Sequence, residues 1–233
     1  MRTGTRLVAA LAAIALGLAF VLPLWSITLE APQYPEGIGM RIYVNTIAGA
    51  TPHDLQNING LNHYVGMARI EPDSFAELRW MPWILGGLIV LGLTVAVTGS
   101  RKLLVTWAAV FALAAVAGLV DFYRWEYEYG HNLSPTAAIK VPGLAYQPPL
   151  IGSRKLLNFE AHSWPATGGW IAITAFGVIA IAAVAELRSR RNVPRLAAPV
   201  DAVRGNGGPA VARQRVSREA GGVERRAQPA ARS

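Results

Sequence analysis

The 233-residue sequence contains no cysteine. That absence excludes a disulfide framework, a thiolate zinc site, an iron–sulfur cluster and covalently attached c-type haem. Charge is scarce as well: Asp, Glu, Lys and Arg make up 15% of the chain, against about a quarter of a typical soluble domain. There is no phosphate-binding glycine loop and no nucleophile–base constellation, so an enzyme is not expected. What the chain has in excess is apolar residues, 52% of the total, gathered into long blocks.

Four of these blocks match the roughly 20 residues of helix that cross a bilayer. They are Leu7–Trp25, Met81–Gly99, Leu103–Val120 and Gly168–Leu187. None has a charged residue in its middle and none contains histidine. A proton relay or a haem held by two histidines inside the bundle therefore lacks its residues. Arg2 and Arg6 precede the first block as in a secretory signal, but Pro23-Leu24-Trp25-Ser26 offers no small-x-small cleavage site, so a retained helix is expected. The fold class expected is an all-α membrane protein, four transmembrane helices with a small mixed cap formed by two long outer loops.

An even number of spans puts both termini on one side. That side, with the Ser100-Arg101-Lys102 turn and residues 188–233, carries a net charge of +11, and the other side carries −3. The positive-inside rule predicts that both termini are cytoplasmic. Six of seven tryptophans fall near outer span ends, where an amphipathic ring prefers the headgroup zone. The tail, 188–233, is Arg, Ala, Gly and Pro, too poor in large apolar residues to form a core, and is expected to be a disordered basic segment beside membrane lipid. It has no aromatic residues for stacking, so nucleic acid is not an expected partner.

The outer loops, 26–80 and 121–167, carry structural signals of their own. Alternation and β-branching predict a strand over 40–47. Thr51-Pro52-His53-Asp54 predicts a helix start, and Ser134-Pro135 predicts another leading into Thr136–Lys140. Glu71–Leu78 is expected to be a short helix entering the second span. The run Asp121–His131 continues the third span, with Asp121, Trp125 and Tyr129 on one helical stripe and Arg124 one turn from Glu128. That stripe is either an interfacial girdle or a docking surface. Pro148-Pro149 forces Ala145–Gly152 to be extended.

All four histidines, and Met40 and Met67, lie in these loops. Imidazole and thioether without thiolate form a donor set that selects copper, Cu(I) above all. His63 and Met67 stand four apart, His53 lies ten residues upstream of His63, and His131 is a further candidate. The plain alternative is chance placement of the histidines, with methionines filling a small core.

Leu29–Pro35, the block Asn59-Gly60-Leu61-Asn62-His63-Tyr64-Val65-Gly66-Met67, Asp121–Asn132 and Tyr146–Gly152 resemble small multi-span membrane proteins encoded beside nitrous oxide reductase and its copper-assembly factors in bacteria. The resemblance covers the spans and both outer loops but not the tail. It implies a bacterial inner-membrane accessory protein for a periplasmic copper enzyme, assisting nitrous oxide reductase maturation or copper supply. It favours His63 and Met67 as copper ligands, because both stand inside the matching block. A metal-free scaffold whose outer loops dock a partner is the alternative.

Overall fold

A computed structural model describes residues 1–156 and 158–191. Most of the predicted basic tail, 192–233, lies outside the described residues. In chain order the elements are α1 (Thr3–Leu16), β1 (Trp25–Ala31), β2 (Tyr34–Ile42), β3 (Ile47–Gly49), α2 (Asp54–Val65), α3 (Glu77–Thr98), α4 (Arg101–His131), β4 (Gly152–Leu156), β5 (Phe159–Pro165) and α5 (Thr167–Arg191). Among the described residues, four helical segments are long and apolar enough to cross a membrane: Thr3–Phe20, Glu77–Thr98, Arg101–His131 and Thr167–Ser189.

The first span is shorter than expected. Its last turn, Gly17–Phe20, is 3₁₀. Pro23 follows, its carbonyl accepting the Gly168 N–H at 2.9 Å. Trp25 then opens a strand instead of closing a helix. At the other extreme, α4 runs eleven residues beyond Val120 without a break. At 1.5 Å per residue it is about 46 Å long, against a hydrocarbon core of about 30 Å.

The all-α description is only partly matched, because the cap, expected to be mixed, holds a sheet. Five strands form one antiparallel sheet in the order β3-β2-β1-β5-β4. The single strand expected over 40–47 is the end of β2 and the first residue of β3, separated by a turn closed by Tyr43 N–H donating to Thr46 O at 2.8 Å. β1 also pairs with β5, Trp25 opposite Pro165 and Ile27 opposite Ser163. Successive residues of a strand face opposite sides. Ile27, Ile38, Met40 and Ile47 thus form one apolar face, buried with Ile58 of α2, Ile70 and Leu78. Phe122 and Trp125, from the extension of α4, pack against the same cluster. Trp25 meets Phe122 edge to face at 5.4 Å.

The helix predicted over Thr136–Lys140 does not form. Backbone groups there bond outward: Ser134 N–H donates to Gly66 O at 2.7 Å and Ile139 N–H to Tyr64 O at 2.9 Å. Within the segment Ala137 N–H closes a single turn on Ser134 O at 3.2 Å, and the Ile139 N–H that would extend it is committed to α2. The stretch around Pro148-Pro149 forms no helix. It forms a strap over the far end of α4, with Tyr146 N–H donating to Gly130 O at 3.0 Å.

Within the bundle, small residues let the helices approach. Ala9, Ala12 and Ala13 of α1 are buried with Leu88, Val95, Leu104, Phe111, Ala175 and Ile179. Trp107 is fully buried against Gly92, where an added Cβ would lie 2.3 Å from the indole. In lipid such contacts act through van der Waals packing, because the tails are as apolar as the side chains. A polar staple closes the end that holds Met1. There Glu186, 4% exposed, accepts from Arg2 N–H at 3.1 Å and Thr5 Oγ1 at 3.0 Å.

Candidate functional site

α2 carries His63, with His53 and Met67 just outside its two ends, and the residues that hold it are polar. Asp54 is buried at its start and accepts from Gly39 N–H at 3.0 Å and Thr51 N–H at 3.2 Å, as well as from the Thr51 hydroxyl. Burial pushes this carboxyl up, but the hydrogen bonds from Thr51 and Gly39, with the nearby charge of Arg41, outweigh it and hold the group below the usual carboxylate range. Further along, Asn59 clamps the returning chain, donating to Ile70 O at 3.0 Å and accepting Ile70 N–H at 2.8 Å. Asn62 donates to Ala68 O at 3.3 Å. Gly66, at φ 84°, ends the helix so that the chain can reverse. Sequence reasoning took the metal donors from this block and missed that its two asparagines fold the segment carrying Met67 back along α2.

The four predicted ligands do not share one place. His63 is exposed, its ring edge-on to Tyr64 at 6.1 Å, while Met67 is half-buried beyond Gly66. His53 precedes the first residue of α2 and makes no side-chain capping bond; it lies about 15 Å from His63 along the helix axis. That distance separates His53 from any ligand sphere centred on His63. His131 closes α4, stacked on Tyr127 at 4.0 Å, with Nδ1 at 2.9 Å from the Tyr127 carbonyl. The fourth histidine, His162, lies on the outer face of the sheet, with Nδ1 2.6 Å from Ser153 Oγ and Nε2 3.7 Å from Glu30. Met40 is in the cap core. Among the described residues no group of three or more His, Cys, Asp or Glu side chains comes together as a metal cluster.

The extension of α4 has two distinct faces. The predicted stripe of Asp121, Trp125 and Tyr129 exists, but Trp125 and Tyr129 turn into the cap. Trp125 meets Phe75 edge to face at 5.6 Å, and Tyr129 Oη donates to Arg69 O at 3.2 Å. The aromatic stripe left bare is Tyr123, Tyr127 and His131. Tyr123 and Tyr127 are 47% and 50% exposed. With Arg124, Glu128 and Asn132 they line an open groove of about 620 Å³.

No protein-family model and no curated protein matches the chain.

Geometry therefore has to carry the functional reading. The groove offers stacked rings, one cation and one anion on a single rigid helix. Such a surface suits recognition of a protein partner, since aromatic residues and arginine dominate binding energy at interfaces. It offers no enclosed volume in which to exclude water from a reaction. Sequence reasoning did not single out Tyr123 and Tyr127; they lie one helical turn apart and are left bare because Trp25 and Phe75 cover the face of α4 that holds Phe122 and Trp125.

Proposed function

We propose that this chain is an accessory membrane protein for a periplasmic copper enzyme, of the kind that matures nitrous oxide reductase or supplies its copper. In this reading it acts by docking. Its sheet cap and the extension of α4 stand on the outer side, and both termini are cytoplasmic, as the charge asymmetry implies. The observation that supports docking is the exposed Tyr123–Tyr127–His131 stripe, on the part of α4 that overruns the hydrocarbon core. The copper association itself rests on the sequence resemblance.

A second reading, transient Cu(I) relay by His63 and Met67, is favoured by the exposed position of His63 at the end of α2. Ligands that exchange metal with a partner must be reachable. Two measurements separate the readings. A photocrosslinking residue at Tyr127 should capture a partner in cells that make the copper enzyme, and Tyr123→Ala with His131→Ala should abolish that capture. A Cu(I) competition titration of wild type against His63→Ala and Met67→Leu should show no difference if docking alone operates. Stoichiometric binding weakened by both substitutions would favour the relay.

A further inference from the structure

Glu126 is fully buried, 0% exposed, and neither carboxylate oxygen has a hydrogen-bond partner. It lies on a stripe of α4 with Phe122 one turn before it and Gly130 one turn after. The 146–150 strap is anchored beside both of these neighbours. At one end Tyr146 N–H donates to Gly130 O at 3.0 Å. At the other, Leu150 O accepts from Ser163 Oγ at 3.1 Å, and Ser163 Oγ accepts from Trp25 Nε1 at 2.8 Å. The Trp25 ring in turn packs on Phe122. The strap therefore runs along the stripe that holds Glu126. Between its anchors stand Pro148 and Pro149, which have no N–H to offer a carboxylate.

Charge is missing from this corner as well. The covered side of α4 presents Phe122, Trp125 and Tyr129, whose hydroxyl donates to Arg69 O. The strap brings Tyr146 and Gln147, β1 brings Trp25 and β5 brings Ser163. Arg154 of β4 reaches the strap but donates to Gln147 O at 3.5 Å. Arg124 and Glu128 line the bare groove on the other side of α4. No cationic side chain pairs with Glu126 among the described residues.

We propose that Glu126 is a pH-sensitive latch for the 146–150 strap, which closes on α4 over the neutral acid and opens when the carboxyl ionises.

A carboxylate sealed from water without a partner is too costly to hold, so the closed strap admits the protonated form. An open strap lets water reach Glu126, which then ionises from about pH 4.3 as an ordinary glutamate does. Above that pH the closed state holds one more proton than the open one. Closing is thus fully favoured below about pH 4.3 and weakens as pH rises, by up to about tenfold per unit for one proton. The latch lies six residues past Val120, about 9 Å further along the helix axis, in the part of α4 that overruns the hydrocarbon core. It is independent of the docking stripe, which uses the opposite face of α4.

The test is hydrogen exchange of the full-length protein in lipid nanodiscs from about pH 5.5 to 7.5, read at the Tyr146 amide, whose bond to Gly130 O breaks when the strap lifts. Corrected for intrinsic exchange, wild-type protection should fall by about tenfold or more across this range. Glu126→Gln, uncharged throughout, should show no such fall. Constant protection in the wild type would overturn the proposal, and so would an equal fall in Glu126→Gln. A matching fall at the amides that join β1 to β2 would overturn it too, by showing that the whole cap loosens. If Glu126→Gln does not fold, the wild-type contrast between Tyr146 and the β1–β2 amides decides alone.

Discussion

Arg101 Nε lies 2.7 Å from Glu186 Oε2, an ion contact off the hydrogen-bond direction that ties the first turn of α4 to α5. Together with Arg2 N–H and Thr5 Oγ1 it makes Glu186 of α5 the shared partner of α1 and α4. Sequence inspection placed this acid at a span end and gave it no task. Glu186→Ala leaves those donors facing a buried gap and should cost about 1–3 kcal/mol. Thr5→Ala, which leaves the acid in place, should cost about 1 kcal/mol. Denaturant unfolding in detergent orders the two, and equal stabilities would refute the shared role.

Gly92 should accept no larger residue while Trp107 is present. Gly92→Val forces a Cβ to within 2.3 Å of the indole, so α3 and α4 must separate. Overpacking of this kind costs about 1–3 kcal/mol or more. Trp107→Ala alone should also destabilise, by opening a cavity. The double substitution should be more stable than the sum of the two losses, which a mutant cycle reads directly.

The Asp54 network predicts acid sensitivity with a definite sign. Its folded-state carboxyl is held below the ordinary 3.8, so it contributes stability above that value. The contribution falls away as pH drops from about 4 through the lowered value. Asp54→Asn should flatten this part of the stability–pH curve and be less stable at pH 7. An unchanged acid limb in Asp54→Asn would show that the drop originates elsewhere.

Gly130→Ala should lift the strap while sparing the bundle. The added methyl meets the Gln147 backbone at 2.5 Å, so the Tyr146–Gly130 hydrogen bond must lengthen or break. Limited proteolysis should cut within 141–150 faster than in wild type. Near-UV circular dichroism from the buried Trp107 environment should stay the same. Unaltered cleavage would mean that the contact is soft.

The spans were legible because unbroken apolar runs carry the membrane signal within themselves. Their ends were less so: Trp25 pairs with Pro165, far along the chain, and no local window contains both. The same non-local pairing hid most of the sheet. Near Ser134 the local helix signal was real, yet it lost to hydrogen bonds with Gly66 and Tyr64. For the candidate site, helical period identified the residues sharing a stripe of α4. It could not say which stripe would be covered, because that depends on Phe75 and Trp25 arriving from elsewhere. Among the predicted ligands, donor type grouped His53 with His63, whereas the helix Asp54–Val65 sets them about 15 Å apart along its axis.

The unbroken course of α4 makes it a lever as well as an anchor. A rigid rod about 46 Å long that tilts by about 10° moves its tip by several ångströms about its midpoint. Tilt is how a long helix answers a change in bilayer thickness. Because Phe122 and Trp125 are packed into the sheet's apolar core, the cap has to travel with the rod. The aromatic stripe would then be raised, lowered or turned by the surrounding lipid itself, so the reach of this surface depends on the membrane in which the chain sits.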